Sequence, residues 1–161
     1  MNKEYFSVIK LDKTFGATVR DVKLSKVTEG EVKELYSLWL RHSLLIFPDQ
    51  HLSTKEQIEF AKLFGVMEFD LAPISNVRSD GSIRDPVDDD VVKSLRGNME
   101  WHHDSTYMPI QAKGSVFTAH TVPADGGETG WADMTAAYEA LDSKMKDKIE
   151  GCLSIEVEIE T

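Results

Sequence analysis

The residues best suited to chemistry lie in the segment WHHDSTY, residues 101–107. If this segment is a β-strand, His102 and Asp104 point to one face and His103 points to the other. An imidazole and a carboxylate two residues apart can then bind one metal ion from a single rigid element. They supply two ligands of the facial triad of non-haem Fe(II) oxygenases, which needs a second histidine and leaves three positions open.

The spacing of these two residues is not specific by itself. His-x-Asp occurs often by chance, and a structural hydrogen bond between His102 and Asp104 is the commoner explanation of the spacing alone. A hydrolytic zinc site that uses the same two side chains is a further alternative. The flanking sequence is therefore needed to choose between these interpretations.

Several segments along the chain occur together and in order in a known family. They are WHHDSTY and, before and after it, LLIFPDQ (44–50), IEFAKLFG (58–65), ISNV (74–77), VP (122–123), GGETGWADM (126–134) and AAYEAL (136–141). This set covers nearly the whole chain. It resembles the family of taurine and chlorophenoxyacetate dioxygenases, which use Fe(II) and the co-substrate 2-oxoglutarate.

The resemblance implies roles for particular positions. His102 and Asp104 fall on the family's first two iron ligands, and Thr129 falls on the threonine that helps to hold 2-oxoglutarate. Asn98 matches a position near the substrate, and Trp101 is expected to be a packing residue beside the site. The implied reaction hydroxylates a small organic substrate, which can be an anion, with O2 as oxidant and release of succinate and CO2.

The sequence departs from the family at its end. The family's third iron ligand, a distal histidine, and its 2-oxoglutarate-binding arginine come from well downstream, whereas this sequence stops at Thr161. We therefore expect the N-terminal part of a dioxygenase domain, inactive alone. Of the other histidines, His42 and His51 are expected at the surface and His103 on the opposite strand face, whereas His120 is expected in a strand from which it could approach the site as an alternative third ligand.

The fold implied by the resemblance is a double-stranded β-helix (jelly roll) with flanking helices, incomplete in this chain. Residues 1–161 would form a single domain of mixed α/β, mainly β, composition. A non-catalytic jelly-roll module that binds a ligand or a partner is the alternative function, because a divergent or truncated member of the fold could keep its shape without turnover.

Local patterns place the individual elements. Capping boxes at Thr28–Glu31 and Ser53–Glu56 start two helices, the first with Val32, Leu35 and Trp39 on one face and the second with Ile58, Ala61 and Phe64. Gly65 is a natural stop for the second helix. Further helices are predicted near 135–141 and 143–150. Strands are predicted at 5–11, 44–47, from Met99 onward, 115–122 and 154–160, and a long loop at 68–98.

Composition limits the classes of partner. The net charge is −10, from 28 acidic and 18 basic residues, which predicts repulsion from nucleic acid and anionic membranes. An anionic substrate would need local positive charge. A single cysteine, Cys152, excludes an intrachain disulfide, and no apolar run reaches membrane-spanning length. We expect a cytoplasmic protein that binds a small molecule, 2-oxoglutarate and O2, and a homo-oligomer is compatible with these features.

Overall fold

The structure is a computed structural model that describes residues 5–69, 71–106 and 108–152. These residues fall into two compact units, one made of residues 5–66 with 116–152 and the other lying within residues 67–115. The elements in chain order are β1 (Ser7–Lys10), β2 (Ala17–Arg20), a 3₁₀ turn (Leu24–Lys26), α1 (Glu29–His42), β3 (Leu45–Ile46), α2 (Thr54–Lys62), α3 (Asp90–Gly97), α4 (Met134–Glu139) and α5 (Ser143–Ile149).

A three-stranded sheet lies at the start of the first unit. Strand β1 pairs with β2 in antiparallel fashion, and β2 pairs with β3 in parallel fashion. The strand predicted at 5–11 is confirmed as β1. The strand predicted at 44–47 is present as the two residues of β3, and Ile46 is 41% exposed, so this strand is shorter than predicted. It lies at the edge of the sheet, next to β2.

Helix α1 forms because both halves of its capping box are present. Thr28 accepts a hydrogen bond from the backbone of Glu31, whose carboxylate accepts from the backbone of Thr28 at 2.7 Å. Its buried residues include Leu35 and Leu38. They pack in a hydrophobic core with five other buried side chains, namely Phe6, Val19, Leu24, Leu52 and Phe60. The predicted first helix and its buried Leu35 are therefore confirmed.

Helix α2 also begins at its predicted capping box, between Ser53 and Glu56. Its buried residues are Gln57 and Phe60, whereas the predicted stripe of Ile58, Ala61 and Phe64 is only partly buried. The Gln57 amide donates a hydrogen bond of 3.0 Å to the carbonyl of Val116. This bond compensates for the loss of water on burial, so a polar side chain can take an inward position that hydrophobicity alone does not predict.

The second unit contains order within the predicted long loop. Val77 and Ile83 form an antiparallel bridge, and Asp89 caps the unpredicted helix α3. The Asp89 carboxylate also pairs with Arg78 at 2.5 Å and Arg84 at 3.4 Å. Burial opposes the ionisation of Asp89, but the Val91 N–H and the two guanidinium groups hold its pKa below the usual range. No residue of α3 is buried, so capping and ion pairing hold this helix in place.

Two predicted strands are absent from the described residues. Neither 99–106 nor 115–122 contains strand structure, and His120 therefore lies outside any strand. An extended segment becomes a strand only when another strand supplies hydrogen-bond partners, and none does so here. Trp101 is 73% exposed, so its expected packing role is wrong in this structure. The strand predicted at 154–160 lies outside the described residues.

The remaining helices agree with the predictions. Helices α4 and α5 begin after the caps Asp133 and Asp142 and match the segments expected near 135–141 and 143–150. The composition of secondary structure is mixed α/β. Helical residues outnumber strand residues in the part of the chain that the structure describes, so the mainly-β expectation is not met there. None of the described helices is long and apolar enough to cross a membrane.

Candidate metal centre

The side chains of His102 and Asp104 approach each other in the second unit. Their closest atoms, Nε2 of His102 and Oδ1 of Asp104, are 3.2 Å apart. Both side chains remain accessible, with 48% and 81% of their surface exposed. The two residues predicted as metal ligands are therefore brought together at a place that an ion from solution can reach.

The other ring nitrogen of His102 determines how this pair can function. Nδ1 lies 2.7 Å from the backbone carbonyl oxygen of Glu100. A carbonyl can only accept a hydrogen bond, so Nδ1 carries a proton, and whenever the ring is neutral Nε2 presents a lone pair toward Asp104. Two acceptor atoms at 3.2 Å repel each other unless a proton or a cation lies between them. A backbone carbonyl on the distal nitrogen is also the usual partner of a metal-binding imidazole.

The backbone around this pair is a turn, so the predicted strand at this position is wrong. Ser105 has a φ of +63°, and its carbonyl accepts a hydrogen bond of 3.1 Å from the N–H of Met108. The Ser105 side chain is buried and donates to a carboxylate oxygen of Glu68 at 3.3 Å. His102 and Asp104 therefore approach each other without the regular alternation of a strand.

Two other predicted site residues occupy exposed positions. Asn98 is the C-terminal cap residue of α3, four residues before His102, and its backbone N–H donates to Ser94 at 3.2 Å. Thr129 belongs to the first unit, in an extended stretch after the positive-φ residues Gly126 and Gly127. Their roles toward substrate and 2-oxoglutarate stay predictions.

The remaining histidines separate into buried and exposed positions. His51, His103 and His120 are exposed, as expected for His51. His42 is only 7% exposed, so its expected surface position is wrong. Its burial follows from α1, whose last turn packs beneath the loop between β1 and β2. Among the described residues, no group of three or more His, Cys, Asp or Glu side chains could hold a metal ion.

Comparison with known proteins identifies the family to which the chain belongs. Residues 7–158 match the family described as "Taurine catabolism dioxygenase TauD, TfdA family". The chain belongs to this family. The resemblance drawn from the sequence motifs is thus confirmed, and the turn that carries His102 and Asp104 lies within the matched region.

Curated members of this family cover most of the chain. An (S)-phenoxypropionate/alpha-ketoglutarate-dioxygenase of Sphingobium herbicidovorans is 55% identical over 146 residues, which are 90% of this chain and 51% of that protein. An alpha-ketoglutarate-dependent 2,4-dichlorophenoxyacetate dioxygenase of Cupriavidus pinatubonensis is 35% identical over 153 residues, 85% of this chain and 53% of that protein. The chain spans about half the length of the curated relatives that it matches.

A solved member of the family has the same fold over most of this chain. The crystal structure of AAD-2 in complex with Mn(II) and N-oxalylglycine superposes with a TM-score of 0.85 at 37% identity. The match covers 90% of this chain and 53% of the AAD-2 chain. The mixed α/β arrangement described above is therefore one that a metal-binding family member adopts.

Two features of this centre could not be found from residue types. The carbonyl of Glu100 orients the imidazole of His102, and every residue has a carbonyl, so no sequence signal marks this contact. Glu68 contacts Ser105 across 37 residues. The sequence shows the carboxylate of Glu68 at the start of the long predicted loop. Only the folded chain shows that this carboxylate contacts Ser105.

Proposed function

We propose that this chain supplies two iron ligands, His102 and Asp104, to an Fe(II)- and 2-oxoglutarate-dependent dioxygenase. The observation that carries the proposal is the 3.2 Å approach of Nε2 to Oδ1, with Nδ1 held by the Glu100 carbonyl. A cation bound by both atoms would be chelated by the neutral imidazole and the carboxylate. One imidazole and one carboxylate are the donor types of the facial triad, so the residues fit the metal.

The bound Fe(II) would supply activation of O2 coupled to oxidative decarboxylation of 2-oxoglutarate to succinate and CO2. The chain's own residues bind and orient. His102 and Asp104 hold the ion, and Thr129 is proposed to donate a hydrogen bond to a carboxylate of 2-oxoglutarate. Since the described residues lack a third ligand group, a second histidine and a cationic partner for 2-oxoglutarate are proposed to come from outside them.

The proposed substrate is a small organic anion. The relatives named above take phenoxypropionate and 2,4-dichlorophenoxyacetate, which are both aryloxy carboxylates. Asn98, close in sequence to both ligands, is proposed to contact the substrate. The double-stranded β-helix with flanking helices is the proposed architecture of the complete domain, because AAD-2 shares the fold over the matched half. A cytoplasmic location and a single domain over residues 1–161 also stay proposals.

The choice of metal has independent support. N-oxalylglycine, present with Mn(II) in the AAD-2 crystal, is an analogue of 2-oxoglutarate, and Mn(II) is a redox-stable substitute for Fe(II). The family membership therefore favours an open iron site over the hydrolytic zinc alternative.

Succinate formation tests the function directly. The test uses a full-length protein that contains this chain and is as long as its relatives. It is incubated with Fe(II), ascorbate, 2-oxoglutarate and an aryloxypropionate, and succinate is measured by chromatography. We expect His102→Ala to abolish turnover and His103→Ala to keep most of it, because His103 makes no ligand contact. Equal loss in both variants would contradict the assignment of ligands, and full-length protein without succinate release would favour the non-catalytic binding module.

A further inference from the structure

A small cleft in the first unit is lined by basic side chains. The loop between β1 and β2 forms one side and the last turn of α1 forms the other, and the cleft has a volume of about 240 Å³. Lys10 and Lys13 come from the strand and loop, and Arg41 and His42 come from the helix. Four basic residues from two separate elements thus converge on one concave surface.

This concentration of charge is unusual in a chain with a net charge of −10. None of the described residues that line the cleft is acidic, and neither Lys10, Lys13 nor Arg41 forms an ion pair with a described carboxylate. One carboxylate approaches the rim, because Asp133 accepts a hydrogen bond from Thr14. That carboxylate is already engaged as the cap of α4.

The cleft is fixed by backbone hydrogen bonds. The Leu11 N–H donates to the Gly16 carbonyl at 3.0 Å and closes the loop, and the Gly16 N–H donates to the His42 carbonyl at 2.8 Å. Gly16 has a φ of +94°, and an added Cβ would lie 2.7 Å from Leu11 Cδ1. The loop is therefore held against the end of α1 at a position that only glycine fits.

The helix dipole does not account for all of the positive charge. A cation in the last turn of a helix is favourable, which explains Arg41 and His42 without any ligand. However, two carbonyls at this end of the helix, those of Trp39 and His42, already have backbone donors. The His42 carbonyl accepts from Gly16 and from the Leu44 N–H at 2.7 Å. Lys10 and Lys13 belong to another element, so the helix end does not explain their position.

The pKa of His42 reflects its burial and the charges around it. Its pKa is lowered by burial first and then by the charges of Lys10 and Arg41. No carboxylate counteracts these effects. The charges of Lys10 and Arg41 therefore disfavour a further positive charge beside them, whereas burial disfavours any charge at His42.

We propose that this cleft binds a small divalent oxyanion of the phosphate class, with Lys10, Lys13 and Arg41 providing its counter-charges. The lysine ammonium groups suit a tetrahedral anion that accepts hydrogen bonds at several corners, and the Arg41 guanidinium adds a planar fork. The cleft is too small for a polymer, and the overall negative charge disfavours nucleic acid. The site does not depend on the proposed dioxygenase function.

Nuclear magnetic resonance titration of the ¹⁵N-labelled chain tests the site. Inorganic phosphate is added at a pH where it is a dianion, and sodium chloride at equal ionic strength is the reference. We expect saturable shifts confined to the amides of residues 10–16 and 41–44, with a dissociation constant in the millimolar range, since exposed ion pairs are weak. Shifts that chloride reproduces, or that spread over the whole chain, would overturn the proposal.

Variants and other anions sharpen the result. Lys10→Gln and Arg41→Gln should each weaken phosphate binding by about two- to fivefold and together by about tenfold, whereas Lys55→Gln on α2 should have no effect. Equal weakening by Lys55→Gln would refute the site. Lys13→Gln replaces Arg41→Gln if the latter unfolds. Phenyl phosphate tests whether the anion can be a phosphomonoester. Succinate is a dicarboxylate, and if it binds as tightly as phosphate, the preference for a tetrahedral oxyanion is contradicted.

Discussion

The side-chain carbonyl of Gln50 accepts a hydrogen bond of 2.9 Å from the backbone N–H of Leu24, 26 residues earlier in the chain. Its amide nitrogen donates to the Val22 carbonyl at 3.1 Å. The residues on either side, Asp49 and His51, have positive φ angles of 57° and 49°. Each such residue costs on the order of 1 kcal/mol, so the Gln50 contacts hold a strained turn in place.

Replacing Gln50 with Glu should destabilise the first unit. The carboxylate would face the carbonyls of Val22 and Pro48, which now accept from the Gln50 amide at 3.1 and 3.0 Å. We expect the free energy of unfolding, measured with urea, to fall by about 1–3 kcal/mol. The opposite charge change on exposed Glu59, Glu59→Gln, serves as the control and should change it by less than about 0.5 kcal/mol.

The two capping boxes predict a second effect on stability. Thr28→Ala and Ser53→Ala each remove a side-chain oxygen that accepts from the first turn of its helix. Each should lower the free energy of unfolding by about 1 kcal/mol. Ser37→Ala in the middle of α1 is the matched control. Its hydroxyl bonds only to the Lys33 carbonyl within the helix, and alanine favours helix, so stability should stay equal or rise. A loss at Ser37 as large as at the caps would contradict the role of capping.

The buried His42 should make stability depend on pH. Burial and the nearby Lys10 and Arg41 lower its pKa in the folded chain, whereas the unfolded chain keeps a value of about 6.5. As pH falls through about 6.5, the unfolded state binds a proton that the folded state does not, so stability declines toward the lower folded pKa. Above about pH 7, His42 does not contribute to the change of stability with pH. Urea unfolding of His42→Gln should show a flatter profile from about pH 6.5 downward, and an unchanged slope would rule out His42 as its source.

The metal centre can be examined without turnover. Asp104→Asn keeps the size of the side chain and removes the charge that faces Nε2 of His102. Mn(II) binding to the full-length protein, followed by electron paramagnetic resonance, should weaken by at least about tenfold, since a ligand contributes at least as much as its supporting contacts. His103→Ala should bind Mn(II) like the parent. Chelator treatment should abolish the activity of the parent protein. Added Fe(II) should restore activity in the parent protein but not in the Asp104→Asn variant.

Thr129 gives a prediction for the co-substrate. Thr129→Val removes the hydroxyl at nearly constant size. A hydrogen bond to a carboxylate is worth about 1.5–3 kcal/mol, so the apparent affinity for 2-oxoglutarate should fall by about tenfold or more. The Michaelis constant for 2-oxoglutarate in the full-length protein measures this loss. An unchanged constant would exclude Thr129 from the co-substrate site.

The elements that could be predicted are those whose signals are local. The capping residues Thr28 and Ser53 lie within one turn of the helices that they start, so their pattern needs no distant partner. Strands need such a partner, and the segments at 99–106 and 115–122 lack one among the described residues. Helix α3 was missed because Asp89 stabilises it through Arg78 and Arg84, which lie 11 and 5 residues earlier in an apparently loop-like sequence.

The two proposed ligand residues were expected together on a strand and lie together without one. A strand would have placed His102 and Asp104 on one face, and the two side chains lie 3.2 Å apart although no strand forms there. The family motif therefore predicted the pairing, and the assumed backbone geometry was wrong. The position of Thr129 relative to this pair depends on the assembly of distant segments, which periodicity does not encode.

The contact between His102 and Glu100 has a consequence for how this centre can vary. The partner of Nδ1 is a main-chain oxygen, so the identity of the side chain at position 100 is not under constraint from the imidazole. A saturation scan at this codon would leave the tautomer of His102 intact for most replacements. Related proteins could therefore carry different residues at position 100 and keep the same nitrogen of His102 directed at the proposed metal. A comparison of their sequences would show position 100 as variable, although its carbonyl orients the imidazole.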